Sequence, residues 1–518
     1  MTLQLEQSRT INEGCTGLQE VNHYLWNKSQ ALDEENRFLR RKNKLEQKEK
    51  EHLMRQAAEQ EAQIRALKKE VARLNGILSL DGTNSGTPTS KTPLNKKKII
   101  PNTREKSGKG KGGQMGHPKA KLCAFQDEEV TEDVYHEGDT CPECGGELQK
   151  TGEEVCKDEL DYEVVVIKRR HHYPEYVCIK CGRKFHQRIP ARLKEENQYG
   201  SQTQALALSL MNIGNVSMNK TRRIICGLSE GEVHPTEGYI AKLQCRAANL
   251  LQPFLSGLKE ECLCLKTLHW DDTVIMIDKK RGCLRFYGDD RIALYCAHMK
   301  KNKEGIDADG ILPLLPETAH VMHDHNRVNY HSDYSFHNIE CNQHLLRDLQ
   351  KVTDQTQHKW SGKMKEHIQC AIHDRNQLAE TGKEAFDDAY IANFFSAWNR
   401  IMILAMEEYK KDDLDCDIEY RLINRLWAYK DPYFAWVTCF DLPVTNNLSE
   451  RSLRDAKTHM KVSGQFLSEE YAKYYAAIRS YIETCRRNGI DEMYALVRLC
   501  QGEPFSLKEI LQHYQHVS

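Results

Sequence analysis

The chain has 518 residues, 74 Lys+Arg against 75 Asp+Glu, and a formal net charge of -1. At roughly 100–200 residues per domain, that length predicts about three or four folding units. The composition, 39% hydrophobic and 29% charged with no run near the roughly 20 apolar residues of a membrane span, reads as soluble, and the start MTLQLEQSRTINEG lacks the apolar core of a secretory signal. Nineteen cysteines, an odd number and mostly single, fit a reducing intracellular compartment better than a disulfide scaffold.

Residues 1–80 carry a heptad. Leu18, Leu25, Leu32, Leu39, Leu53, Leu67 and Leu74 share one frame, broken by Glu46 and Gln60, and Ala57, Ile64, Val71 and Leu78 stand three residues earlier in their repeats. These are the d and a positions of a coiled coil, with Asn36 and Asn43 at a, where a buried amide can fix register and a two-stranded state. The pattern predicts a homo-oligomer through this helix. A long amphipathic helix packed on its own domain is the other outcome the pattern allows.

Residues 81–122 are rich in Gly, Ser, Thr, Pro and Lys and predict a flexible basic linker. From Lys91 to Lys121 ten basic residues face the single acid Glu105, so the near-neutral average hides a basic arm. Lys109 and Lys111 are its candidate phosphate contacts.

Residues 123–193 contain Cys141-Pro-Glu-Cys144 and Cys178-Ile-Lys-Cys181, separated by 33 residues, with glycine directly after each pair. Two such knuckles predict one structural Zn2+ held by four thiolates. The alternating run Tyr162 to Val177 predicts one long strand of a zinc-ribbon hairpin. Residues 194–260 read as a helical connecting or DNA-binding region. Within it MNIGNVSMNKTRRIICGL resembles a helix-turn-helix loosely, and compact helical packing is the alternative.

Residues 261–339 read as strands. Cys262 to Asp272 forms one that ends in carboxylates, Val274–Ile277, Cys283–Tyr287 and Ile292–Ala297 follow, and Ala319 to Asp324 ends in another acid. Residues 340–440 are helical, 441–485 open with a polar cap at Thr445-Asn446-Asn447 before Glu450, and 486–518 form a C-terminal segment. Strand tips in an α/β sheet are where ligand groups converge. Asp271, Asp324 and Glu450 could therefore hold two hard divalent cations, although periodicity alone does not select them among 75 acids.

In order, the chain carries the leading heptad, Asn84-Ser85 with Pro88 and Pro93, the stretch GKGKGGQMGHPKAKL, the paired knuckles, Trp270-Asp-Asp-Thr273, Cys341-x-x-His344 and Asn446-Asn447-x-x-Glu450-Arg451-x-x-Arg454 with Lys457, Ser463 and Gly464. The whole chain thereby resembles transposases of the insertion sequence 66 family. The resemblance implies a multidomain protein: an N-terminal α-helical coiled coil, a zinc-ribbon-like β module, and an α/β ribonuclease H-like catalytic core with an α-helical insertion. It further implies a DDE triad of Asp271, Asp324 and Glu450, two Mg2+ (or Mn2+) ions, and strand cleavage and transfer of a mobile element. Arg451, Arg454 and Lys457 would hold DNA phosphates beside the acids. Implied partners are double-stranded DNA with terminal inverted repeats and element-encoded helper proteins, in a bacterial cytoplasm at the nucleoid. His344 receives no chemistry. Two positions depart from the family pattern: Asp272 replaces a Glu, and His325 follows Asp324 where the family has Gly. A catalytically decayed or repurposed zinc-dependent DNA-binding protein is the alternative function.

Overall fold

The computed structural model describes residues 2–78, 125–136, 138–150, 155–190, 192–193, 195–411 and 417–517. The basic linker with Lys109 and Lys111 lies outside the described residues. In chain order the elements are α1 (Thr2–Leu78), β1 (Tyr176–Val177), β2 (Lys184–Phe185), α2 (Ser201–Asn212), α3 (Met218–Leu228), α4 (Glu237–Leu250) and α5 (Gln252–Cys264). Then come β3 (Thr267–Ile277), β4 (Lys280–Gly288), β5 (Ala293–His298), α6 (Lys303–Asp309), β6 (His320–His323) and β7 (His337–Glu340). The rest is helical: α7 (Asn342–Thr356), α8 (Lys359–Glu380), α9 (Asp388–Lys411), α10 (Asp417–Ala428), α11 (Lys430–Phe434), α12 (Asn447–Ser452), α13 (Arg454–Ser463), α14 (Glu469–Arg487), α15 (Glu492–Gln501) and α16 (Leu507–Val517). No helix among the described residues is long and apolar enough to cross a membrane.

The chain divides into two compact units. The first holds α1, most of α7 and α8, α9 and α10. At 1.5 Å per residue α1 is roughly 115 Å long, and its heptad leucines stay open: Leu18 and Leu67 are each 65% exposed. The shorter helices of this unit bury Trp360, Met364, Trp398, Met402 and Leu426. Buried Glu419 accepts from the His358 ring at 2.7 Å.

The second unit is built on a five-stranded mixed sheet of order β5-β4-β3-β6-β7. β3, β4 and β5 form an antiparallel meander, and β6 and β7 run parallel to β3. Side chains alternate across a strand. Leu268 and Trp270 of β3 enter a core with Leu243, Leu258, Ile482 and Leu496, whereas Ile275 and Ile277 enter a second core with Leu453, Ala456, Phe466 and Tyr475. Helix α14 closes the outer edge of β5: Ser480 Oγ accepts from Tyr295 N at 2.8 Å and Thr484 Oγ1 from Ala293 N at 3.1 Å.

Three local readings change. Cys262–Cys264 belongs to helix α5, so β3 begins at Thr267 and runs through the acids to Ile277 rather than ending at them. Cys262 and Leu263 extend the packed face of that helix, and Cys264 is exposed. Of the expected strand 162–177, only Tyr176–Val177 pairs, with Lys184–Phe185 across the second knuckle. Tyr162, Val165 and Ile167 are exposed, and no partner strand meets them among the described residues. The strand β7 escapes the sequence reading, being four residues long with His, Asn and Glu among them.

Candidate carboxylate site

The register of β3 on β6 brings the first two acids together. Leu268 lies opposite Val321 and His269 opposite Met322. Two residues further, where β6 has ended, Asp271 comes level with Asp324. Asp271 has the parity of Ile275 and Ile277 and so faces α12 and α13. Burial pushes its carboxyl up to about 8, reinforced by the charges of Asp324 and Asp272 and opposed by the Asp272 N–H and Lys457. The oxygen donors of such a crowded, desolvated acid cluster suit a hard divalent cation.

Glu450 arrives on α12, one residue-turn after Asn446. Although Asn446 holds the N-cap position, its side chain accepts no main-chain N–H of the helix. Its Nδ2 donates to Trp270 O at 2.9 Å, its Oδ1 accepts from Ser449 Oγ at 2.8 Å and meets His269 Nδ1 at 3.2 Å. Its main-chain N–H points at Cys341 Sγ, 3.1 Å away. One fully buried amide thus ties the start of α12 to β3 beside Asp271 and to the end of β7.

His344 completes the cluster. Its Nδ1 stands 3.0 Å from Asp324 Oδ1 and its Nε2 3.5 Å from Glu450 Oε1. Burial works against its charge, but the hydrogen bonds with Asp324 and Cys341 prevail and lift the imidazole to about 11. Asp324, Cys341 and His344 are also the one group of three ligand residues, among the described residues, whose donor atoms lie within 4.8 Å of one another. The sequence reading passed over His344; the signal was its spacing from Cys341, which places both at the start of α7.

The two departures from the family pattern have separate surroundings. Asp272 faces the opposite side of β3 from Asp271 and pairs with Lys301 Nζ at 2.7 Å. His325 turns to Glu340, with Nδ1 2.7 Å from Oε1, and Tyr330 Oη donates to the same oxygen at 2.6 Å. Arg451, Arg454 and Lys457 are exposed on α12 and α13. Lys457 is near enough to Asp271 to oppose its rise.

Each cysteine knuckle is formed. Cys141 N donates to Gly146 O and Gly145 N to Cys141 O, at 2.8 and 2.9 Å, and Cys178 N–Arg183 O and Gly182 N–Cys178 O repeat the pattern at 2.8 Å. Gly145 and Gly182 supply the positive φ, 72° and 68°, that this turn needs. Main-chain N–H groups of Glu143 and Cys144 lower the Cys141 thiol, and those of Cys181 and Lys180 lower Cys178, as does each pair's own sulfur partner. Among the described residues the four sulfurs do not lie within 4.8 Å of one another. Each half suits a thiophilic ion, and one ion shared by both pairs requires the two knuckles to close on it.

The second unit is therefore an α/β protein with a carboxylate–histidine cluster where β6 ends beside the middle of its parallel neighbour β3. The model of the Transposase IS66 family matches residues 219–474, a span that contains all three acids, Cys341 and His344. Over these residues the chain belongs to that family. Membership carries a transposase role, action on DNA and a divalent-metal requirement. No curated protein matches the chain.

Proposed function

We infer that the second unit is a ribonuclease H-like catalytic core in which Asp271, Asp324 and Glu450 form the DDE triad of a transposase. The observation that carries this is the meeting of three sequence-distant elements: Asp271 level with Asp324 through the β3–β6 register, and Glu450 joined to Asp324 through His344. The strand order, an antiparallel meander followed by two parallel strands on its inner side, supports the fold reading.

The three carboxylates would hold two Mg2+ or Mn2+ ions, which supply activation of the attacking oxygen and stabilisation of the leaving 3′ oxygen. Phosphoryl transfer needs positioning and charge neutralisation above all, and the chain's own residues provide both. Asn446 fixes the start of α12 against β3, so that Glu450 keeps its place. His344 orients Asp324 by hydrogen bond. Arg454 and Lys457, in the first two turns of α13 directly after the helix that carries Glu450, hold the phosphates that flank the reacting bond. Lys301 keeps Asp272 away from the cluster, and Glu340 does the same for His325. Both departures therefore leave the triad's face clear, which favours an active enzyme over a decayed binding protein.

Around this core we assign self-association to α1 and one structural Zn2+ to Cys141, Cys144, Cys178 and Cys181. Duplex DNA with the element's terminal inverted repeats is the substrate, met also by Lys109 and Lys111, in the bacterial cytoplasm. Incubating the full chain with a supercoiled plasmid bearing those repeats tests the reading: Mg2+-dependent cleavage at the repeat ends supports it, and binding with no cleavage in Mg2+ or Mn2+ overturns it.

A further inference from the structure

The β3–β4 hairpin ends in a tight turn with Asp278 and Lys279 at φ 44° and 62°, which exposes Lys279, Lys280 and Arg281. None of the three has a carboxylate at ion-pair distance among the described residues. The tip is nevertheless held in place. Gly464, at φ 77°, ends α13, and the following loop is stitched to the open edge of β3: Phe466 N donates to Met276 O at 2.8 Å, Asp278 N to Phe466 O at 3.0 Å, and Lys279 N to Gln465 Oε1 at 2.9 Å. Phe466 is buried between His459 and Tyr475, with ring centroids 5.0 and 5.3 Å away.

Helix α13 runs from the acids towards this tip. Its inner face carries Ala456 and Met460 into the core with Ile275 and Ile277. Arg454, Lys457 and Lys461, at i, i+3 and i+7, are exposed on one outer face. The one acid on that helix, Asp455, is neutralised by Arg479 at 2.6 Å. Arg454, Lys457, Lys461, Lys279, Lys280 and Arg281 therefore form a basic track that begins beside Asp271 and Glu450 and ends on the hairpin. At about 3.3 Å per residue, the seven steps along β3 from Asp271 to the turn residue Asp278 span roughly 23 Å. That is about seven base pairs of duplex at 3.4 Å each.

We propose that the hairpin tip is a second DNA-backbone contact, which grips duplex phosphates about seven base pairs from the bond placed at the carboxylates. Its place at that distance rests on the catalytic reading above; its charge and fixation do not. Duplex DNA is favoured over an acidic protein because the track is continuous with the triad's own phosphate-binding face.

The test uses the full zinc-loaded chain without Mg2+ or Mn2+ and without chelator, where cleavage cannot interfere, and a labelled duplex of the element end titrated from 50 to about 300 mM salt. Neutralising three phosphate contacts contributes about 0.9 × 3 to the slope of log K against log salt. The variant Lys279→Asn/Lys280→Gln/Arg281→Gln is expected to lower that slope by about two to three and to weaken binding at least about tenfold at low salt. On duplexes that extend fewer than about five base pairs past the cleavage position, the variant and wild type should bind alike. Lys280→Gln alone, which leaves the turn residues intact, should lower the slope by about one and guards against misfolding of the triple variant. Wild-type slopes for both variants on every duplex would overturn the proposal, as would an unchanged slope with loss of self-association, which would assign the tip to protein contact. A protein that never cleaves but keeps the slope difference would instead contradict the catalytic reading alone.

Discussion

The side-chain amide of Asn446 donates to the main-chain carbonyl of Trp270, 176 positions earlier in the chain, at 2.9 Å. Trp270 precedes Asp271 and Asn446 precedes Glu450 by one helical turn, so this single bond sets the distance between the first and third acids. Asn446→Ala removes a buried amide with several partners, a loss of about 1–3 kcal/mol. It should slow strand cleavage about a hundredfold or more while leaving DNA binding within about twofold. Thermal melts beside single-turnover cleavage check this; full activity in a destabilised protein would reduce Asn446 to a packing residue.

Much of the sheet is legible in the sequence, because Cys283–Tyr287 and Ile292–Ala297 are near-continuous apolar runs and Ala319–Asp324 ends in an acid. The site is less so. Asn446–Trp270 and His344–Glu450 are contacts between distant elements, and neither leaves a period in the sequence. β7 is too short and polar to show, and in Cys262–Cys264 the apolar alternation of a strand coincides with one turn of α5. The knuckles are legible as turns from their CxxC–Gly spacing, but the chain between them does not form the expected long hairpin.

Zinc should be structural. Metal analysis of the full chain should give one equivalent, and Cys141→Ser or Cys178→Ser should unfold the region 123–190, because binding energy in so small a module is folding energy. Protease cutting confined to that region, with the 219–474 portion intact, is the expected pattern. A well-folded, zinc-free preparation would contradict it.

The open leucine stripe of α1 should find a second chain. Leu18, Leu25, Leu32, Leu39, Leu53 and Leu67 are all between 45% and 65% exposed, an apolar seam, interrupted at Glu46 and Gln60, that water disfavours. Removing residues 1–80 should lower the mass measured by light scattering to that of a monomer. An unchanged oligomer would return the stripe to packing within the chain.

His459 should make the core acid-sensitive. Burial, helped by the Arg479 charge, holds its imidazole down at about 4. The unfolded chain binds this proton near pH 6.5 and the folded chain only near 4, so the stabilisation is whole above 6.5 and is lost as pH falls through that window. The full effect is about 3 kcal/mol. His459→Phe should keep the ring stack on Phe466 and Tyr475 and flatten the dependence of denaturation midpoint on pH between 6.5 and 4. An unchanged slope would locate the acid sensitivity elsewhere.

The most direct test of the account is cleavage of a supercoiled donor carrying the element ends by Asp271→Asn, Asp324→Asn and Glu450→Gln, each beside a gel shift at the same salt, with Asp272→Asn as control. These changes remove charge and nearly keep shape. The account predicts that each of the first three abolishes cleavage and joining while binding persists, and that Asp272→Asn, freed only from Lys301, stays much closer to wild type. Robust cleavage by the Glu450→Gln protein, or equal loss in Asp272→Asn and Asp271→Asn, would contradict it.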